Sequence, residues 1–178
     1  MHARWLTAAG ALASAAAPAA YATQYMSVEE AQQEAFAQAQ FEELAPPDAA
    51  TAAALDAPVG WAPRVFTARS GGALRGWLIV DQVVGKSERI TYALALDAQG
   101  AVSLLEVLDY RESHGGEVRL APWRKQFVGK TVADPVALGK DIRNISGATL
   151  SCRHLTEGVQ RLLKLYDASL KTKHPSSP

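Results

Sequence analysis

The middle of the chain carries four stretches rich in Val, Ile, Leu, Tyr and Trp, and only short turn sequences separate them. The turns are built from Gly, Asp, Ser and Lys, at 71–72, 85–87 and 97–100. Because connections this short join neighbouring antiparallel strands, the pattern predicts an antiparallel sheet. Every second residue from Ile90 to Leu96 is large and apolar, which predicts a buried face. The predicted strands are 65–68, 76–84, 89–97 and 101–110.

Helices are predicted on both sides of this strand region. Ser27-Val28-Glu29-Glu30 has the pattern of a capping box, and it predicts a helix over 27–41. Apolar residues recur with helical spacing from Leu155 to Leu170 and predict a helix over about 151–170 with one buried stripe. A short irregular or helical stretch is expected around 122–127. The fold class predicted from these elements is α+β, with a sheet flanked by an N-terminal and a C-terminal helix.

Residues 1–22 have the layout of a secretory signal peptide. Arg4 and the terminal amine precede an apolar run of 15 residues, and Ala20-Tyr21-Ala22 offers small residues around a cleavage point. The run is shorter than the roughly 20 residues that a membrane span needs. We therefore expect cleavage after Ala22, export to a bacterial periplasm and a mature protein that does not span the membrane. An uncleaved anchor or a disordered Ala-rich tail is the alternative.

The remaining chain is expected to form one functional domain. We assign 23–58 to the N-terminal helix and an Ala/Pro-rich connection, 59–172 to the domain itself and 173–178 to a flexible tail. The chain of 178 residues has 18 Lys+Arg and 18 Asp+Glu, and this zero net charge argues against a nucleic-acid binder. The one Cys excludes an internal disulfide framework.

The common enzyme motifs are absent from the sequence. It contains no GxSxG, GxGxxG or P-loop pattern, and His114 and His154 do not have the spacing of a zinc site. Cys152 is read as a small packing residue at a helix start, or as a nucleophile if the fold brings a base to it. The sequence therefore does not predict a hydrolase or a nucleoside-triphosphate site.

The segment Ser146-Gly147-Ala148-Thr149-Leu150-Ser151 leads directly into the predicted C-terminal helix. Its small residues allow a ligand to approach the backbone closely, and the helix start offers free amides that suit a phosphate. A plain helix-capping turn explains the same residues. From the residues alone, both readings stay open.

The same segment resembles the flavinylation motif of the FMN-binding domain family. That family includes a peripheral subunit shared by Rnf and sodium-translocating NADH:quinone oxidoreductase complexes. The resemblance implies that Thr149 carries FMN through a phosphoester bond, which a magnesium-dependent flavin transferase installs from FAD. The resemblance also implies that the cofactor comes close to the backbone at Ser146, Gly147 and Ala148. Leu150 and Ser151 would lead into the helix that follows. The family pattern has Asp three residues before the motif Ser, where this sequence has Arg143.

A second stretch, 112–130, also resembles a family segment. In that segment a glycine-containing loop begins with Glu, here Glu112, and is followed by an aromatic residue and by the pattern Phe-x-Gly-Lys. The resemblance places this loop near the flavin ring. Its implied contacts are Glu112, Ser113, His114, Gly115 and Trp123. For Glu112 and His114, solvation at a loop tip is the alternative. For Trp123, as for Trp77, Tyr110 and Phe127, stacking on the ring and packing in the core both remain open.

The resemblance implies a strongly curved sheet and an exported FMN-binding electron-transfer protein. We expect an electron carrier rather than a stand-alone enzyme, working with a redox partner protein or a membrane electron-transfer complex. Two alternatives remain. One is a flavin-dependent reductase that holds FMN without a covalent bond, and the other is a non-redox binding module that has lost the flavin.

Overall fold

The predicted sheet is present in the computed structural model, which describes residues 23–173. Within these residues, six antiparallel strands lie in the spatial order β1-β6-β5-β4-β3-β2. The predicted signal peptide and residues 174–178 of the predicted tail lie outside the described residues. The strands are β1 (Thr23–Gln24), β2 (Gln40–Leu44), β3 (Arg64–Ser70), β4 (Ala73–Val84), β5 (Arg89–Asp97) and β6 (Val102–Tyr110).

Helices complete the α+β fold and confirm the predicted class. The helix α4 continues through a π-helical turn, Tyr166–Leu170, into a last turn α5 (Lys171–Lys173). The helix α3 (Ala121–Arg124) and a 3-10 turn at Lys125–Phe127 lie in the region predicted to be irregular or helical, and another 3-10 turn, Gly116–Arg119, precedes that region. The other helices are α1 (Val28–Ala35), α2 (Ala49–Ala54) and α4 (Thr149–Leu165).

The strand bounds were predicted best for β5, which has a clear turn sequence on each side. β5 has the predicted bounds, whereas β3 and β4 extend to a tight turn at Gly71-Gly72. Both glycines have a positive φ, 58° and 83°, which residues with a side chain adopt at a cost. The strand pairing shifts at Ala68/Arg69, Thr91/Tyr92 and Ala95/Leu96, and such irregularities bend strands.

The two faces of the sheet pack against different helices. The β5 residues that alternate from Ile90 to Leu96 are buried in one cluster with Leu155, Val159 and Leu162 of α4. On the opposite face, Ala93 and Ala95 join a smaller cluster with Ala31 of α1. The predicted period-2 pattern and the predicted buried stripe of the C-terminal helix are both confirmed, and the sheet is covered on both faces.

The helix α4 lies close to the sheet because it contains a glycine at the contact. A Cβ atom added at Gly158 would lie 2.4 Å from the Tyr92 hydroxyl oxygen. The Tyr92 hydroxyl therefore passes beneath the helix and donates to Asp81 Oδ2 at 2.9 Å. This contact fixes the height of α4 above β4 and β5, and with it the position of the helix start.

The N-terminal region differs from the sequence prediction. The capping box is present, with the Glu30 amide donating to Ser27 Oγ at 3.1 Å. However, α1 ends at Ala35 rather than near 41, because the chain turns at Gln38 (φ 62°) and residues 40–44 pair with β3 instead. The long-range backbone bonds of β2 outweigh the weak helical pattern of the alanines. The connection over 45–58 includes the short helix α2, capped by Asp48.

Candidate functional site

A cleft of about 600 Å³ joins three segments that are distant in the sequence. Its walls are the turn between β4 and β5, the loop after β6, and the start of α4. The Ser146–Ser151 segment and the Glu112 loop, which the sequence singled out separately, thus meet in one place. The residues that line the cleft are Lys86, Ser87, Glu88, Arg111, Glu112, Ser113, His114, Gly147, Ala148, Thr149, Leu150 and Ser151.

The start of α4 presents free hydrogen-bonding groups to this cleft. Thr149 is the first helical residue and is exposed, and among the described residues no side chain caps the first turn. Gly147 has φ 86° and makes the turn into the helix, where the Ala148 amide donates to the Ile145 carbonyl at 3.0 Å. The Asn144 side-chain amide donates to Thr149 Oγ1 at 3.1 Å. Uncapped amides at a helix start suit an anionic group.

Tyr110 joins the Glu112 loop to the helix start. Its hydroxyl donates to the His114 carbonyl at 2.5 Å and lies 3.1 Å from Ser151 Oγ, which is buried. Gly115 (φ 82°) lies beneath this contact, since an added Cβ would be 2.9 Å from the Tyr110 hydroxyl and 3.3 Å from Ala148 Cα. The loop can approach the helix this closely only with glycine at 115.

The carboxylate of Glu112 supports a wall of the cleft. Its Oε1 accepts from the amides of Ser87 at 2.6 Å and Glu88 at 2.9 Å. Burial acts to raise the pKa of Glu112, but these amides and the nearby charge of Lys86 hold it below its usual value. The Glu112 carboxylate therefore holds the β4–β5 turn in place.

His114 and Ser113 are exposed on the opposite side of the cleft opening. Ser113 Oγ lies 2.9 Å from His114 Nδ1, so the hydroxyl and the ring orient each other. Lys86 and Arg111 also line the cleft, and Arg111 forms an ion pair with Asp109 at 2.8 Å. The carboxylates of Glu88 and Glu112 lie in the same lining, so the uncapped start of α4 is the feature of the cleft that suits an anion.

The aromatic candidates for ring stacking, Trp77, Tyr110, Trp123 and Phe127, are buried and are not among the residues that line the cleft. Trp77 and Phe127 are fully buried, and Trp123 is 4% exposed with its ring edge-on to Phe127. The Trp123 indole N–H donates to the Arg143 carbonyl at 2.8 Å. Trp123 thus positions the loop that leads to Thr149. Ser146 is exposed in that loop, outside the residues that line the cleft.

Asp141 braces the same loop further upstream. It accepts from the amides of Val136 at 3.1 Å and Ala137 at 2.8 Å, and from Lys130 Nζ at 2.9 Å. Burial opposes ionisation, but these partners lower the pKa of Asp141 to about 2. The side chain of Arg143, at the position where the family pattern has Asp, is exposed.

A second cleft, of about 680 Å³, lies between α4, the β4–β5 hairpin and residues 58–62. Its floor holds Asp81, which is 5% exposed. Asp81 accepts from the Trp61 indole N–H at 3.0 Å and from the Tyr92 hydroxyl at 2.9 Å. Burial raises the pKa of Asp81, against the effect of these hydrogen bonds and of the charge of Arg161. The polar groups on this floor therefore have partners within the protein.

Sequence reasoning missed part of the first cleft. From the sequence, Lys86 and Ser87 are predicted only as turn residues, and nothing marks Glu88 or Arg111 as part of a site. Turn chemistry marks 85–87 as a loop, but only the pairing of β4 with β5 and the Glu112 contact bring it to the helix start. No local signal identifies Asn144 as a partner of Thr149.

Comparison with known proteins gives a family match for the stretch of chain that contains the cleft. The family model of the FMN-binding domain matches residues 85–164, a range that contains every residue lining the first cleft. By this match, residues 85–164 are similar to an FMN-binding domain. The cofactor of this domain is FMN, as the resemblance of the Ser146–Ser151 segment implied.

A relative from Stutzerimonas stutzeri is a subunit of an ion-translocating oxidoreductase complex, and it is 32% identical to this chain. The matched region covers 56% of this chain and 49% of that protein, so the chain spans about half the length of this relative. Among the described helices of the FMN-binding protein, none is long and apolar enough to cross a membrane.

The residues of the first cleft fit FMN. Its volume lies within the range of about 300 to 1,000 Å³ that is typical of small-molecule sites. The uncapped start of α4, with Lys86 and Arg111 nearby, suits the phosphate, and the exposed Thr149 hydroxyl lies at the same place. Of the implied cofactor contacts, the structure brings Glu112, Ser113, His114 and the 147–151 segment together. Gly115, Trp123 and Ser146 lie outside the lining.

Proposed function

We propose that this protein transfers electrons through an FMN group that is attached to Thr149 by a phosphoester bond. The observation that carries the proposal is the placement of Thr149. Its hydroxyl is exposed at the uncapped first turn of α4 and lines the cleft of the FMN-binding domain. A phosphate bonded to Thr149 Oγ1 would lie beside the free amides of that turn.

The chain contributes binding and orientation, whereas the redox chemistry belongs to the cofactor. Bound FMN accepts and donates one or two electrons. Lys86 and Arg111 neutralise negative charge at the cleft, and the exposed His114 ring offers a hydrogen bond to the polar edge of the flavin. Thr149 and Leu150 are exposed in this cleft, which suits electron exchange with a docked partner.

The proposed partners and compartment rest on the relative and on the sequence. Because the relative is named as a subunit of an ion-translocating oxidoreductase complex, we propose that a redox protein or a membrane electron-transfer complex exchanges electrons with this protein. The signal-peptide pattern of residues 1–22 supports export to the periplasm. There, a covalent bond would keep the cofactor from diffusing away.

Intact-mass measurement after co-expression with a flavin transferase tests the attachment. Wild-type protein should gain the mass of one FMN phosphoester, and its band on a denaturing gel should be fluorescent. Thr149→Ala should lose both signals. Ser146→Ala, which removes an exposed hydroxyl three residues earlier, is the matched control and should remain modified.

Three outcomes would contradict the proposal. These are a wild-type mass equal to that of the bare protein, modification that persists in Thr149→Ala, and yellow cofactor released on denaturation. The last result would instead support a flavin-dependent reductase with non-covalent FMN. A reductase would also turn over a donor and acceptor pair without a partner protein.

A further inference from the structure

Three hydroxyl groups lie in the segment from Ser146 to Ser151, and their surroundings differ. Ser151 Oγ is buried and lies 3.1 Å from the Tyr110 hydroxyl. Ser146 is exposed but does not line the cleft. Thr149 lines the cleft, and its Oγ1 accepts a hydrogen bond from the Asn144 side chain at 3.1 Å. Ser151 also lines the cleft, but within this segment only Thr149 combines an exposed position in the cleft with a side-chain partner that orients its hydroxyl.

The backbone on which Asn144 stands is held in place from several sides. The preceding residue, Arg143, donates its amide to Gln126 Oε1 at 2.9 Å and accepts from the Trp123 indole at 2.8 Å. Ile142 is 1% exposed, and its carbonyl accepts from the Gly139 amide at 2.8 Å. These contacts hold the loop that carries Asn144 in place. The Asn144 side chain therefore loses little further conformational freedom when it bonds to Thr149.

We propose that Asn144 is a positioning residue that selects the Thr149 hydroxyl for attachment of FMN. This inference rests on the proposed function. The Asn144 amide donates to Oγ1, which leaves the hydroxyl hydrogen and the remaining lone pair directed away from Asn144. A hydroxyl held in one orientation reacts faster than one that rotates among several, since less entropy is lost on the way to the transition state.

The transfer step balances without any change of oxidation state. Thr149 Oγ1 forms a bond to the FMN-side phosphorus of FAD, and the bond from that phosphorus to the bridging pyrophosphate oxygen breaks. AMP leaves with the electron pair of the broken bond. The hydroxyl proton passes to a base that the flavin transferase supplies. Asn144 takes no part in bond making, and its amide then lies beside the new ester oxygen.

The rate of flavin attachment to the purified full chain tests this role. With transferase, FAD and Mg²⁺ supplied, Asn144→Ala should slow attachment about tenfold, which corresponds to about 1.4 kcal/mol in activation free energy. Lys140→Ala removes an exposed side chain from the same loop and should leave the rate unchanged. Thermal unfolding of the unmodified variants should match the wild type, because the Asn144–Thr149 bond is exposed.

A second comparison separates two effects of Asn144→Ala. One is the loss of orientation of the hydroxyl at residue 149, and the other is a general change in the loop. Serine is not β-branched, so Thr149→Ser has a freer side-chain torsion and should depend more on Asn144. The slowing caused by Asn144→Ala should therefore be larger in a Thr149→Ser background than in the wild type. An equal slowing in both backgrounds, or no slowing in either, would overturn the role of Asn144 while the proposed function stands. A wild-type protein that gains no FMN would overturn both.

Discussion

The two clefts of this domain are similar in size but differ in how their polar groups are used. Each is lined by part of the β4–β5 hairpin and part of α4. In the second cleft, both carboxylate oxygens of Asp81 accept hydrogen bonds from Trp61 and Tyr92. In the first cleft, where we propose that FMN binds and which we call the FMN cleft, the first turn of α4 has no side-chain cap among the described residues, and the Thr149 hydroxyl is exposed.

From this difference we expect free hydrogen-bonding groups, rather than volume, to mark the binding site. The second cleft is the larger of the two, yet a ligand there would compete with hydrogen bonds that the fold already makes. A ligand in the FMN cleft could instead bind the amides in the first turn of α4, which have no side-chain cap among the described residues. We therefore expect substitutions in the second cleft to change stability and substitutions in the FMN cleft to change FMN attachment.

The largest expected effect tests the structural role of the second cleft. Asp81→Ala removes the acceptor of the buried Tyr92 hydroxyl and of the Trp61 indole, and should lower the free energy of unfolding by about 2 to 3 kcal/mol. Urea denaturation measures the loss. The folded variant should still accept FMN as fully as the wild type. Glu157→Ala, which removes an exposed carboxylate of the same cleft, should change neither property.

Gly115→Ala should affect both stability and FMN attachment. A side chain at φ 82° and 2.9 Å from the Tyr110 hydroxyl should cost about 2 kcal/mol and push the Glu112 loop away from α4. Denaturation and intact mass measure the two effects. At Gly116, an added Cβ has 3.5 Å to its nearest neighbour, so Gly116→Ala is the matched control. Equal behaviour of the two variants would contradict the close approach of loop and helix.

A smaller effect is expected at the wall of the FMN cleft. Glu112→Ala frees the amides of Ser87 and Glu88 and should cost about 1 kcal/mol, since these groups become hydrated at the surface. Hydrogen exchange at both amides should become faster. Glu88→Ala removes an exposed carboxylate from the same turn and should not change these exchange rates. Unchanged exchange in Glu112→Ala would mean that the turn is held by other contacts.

The smallest expected effect is a pH dependence that the second cleft imposes. Because burial raises the pKa of Asp81 above 3.8, its contribution to stability is fully present below pH 3.8 and is lost as pH rises through the raised pKa. Asp81→Asn should remove this contribution. The difference in urea midpoint between the wild type and Asp81→Asn should therefore change as pH rises from 3.8 through the raised pKa of Asp81. At higher pH the difference should be constant. A constant difference would show that Asp81 titrates as in the unfolded chain.

The FMN motif could be read from the sequence because it is local. Residues 146–151 lie directly before a helix whose apolar stripe is visible in the sequence, so the position of Thr149 at a helix start follows from local physics. The alternation in β5 is equally local. By contrast, the helix predicted over 27–41 was wrong beyond Ala35, because pairing of β2 with β3 depends on residues more than twenty positions away.

The sequence by itself determined the α+β class, the antiparallel order of the central strands and the helix start that carries Thr149, since periodicity and turn chemistry act over a few residues. Only the tertiary structure decided that Glu112 supports the cleft wall, that Trp123 braces a loop from the core and that Asn144 contacts Thr149. Each of these contacts depends on how strands and loops pack in three dimensions. From the sequence alone, each of these three side chains could have several roles. The contacts that it makes in the folded protein decide which role it has.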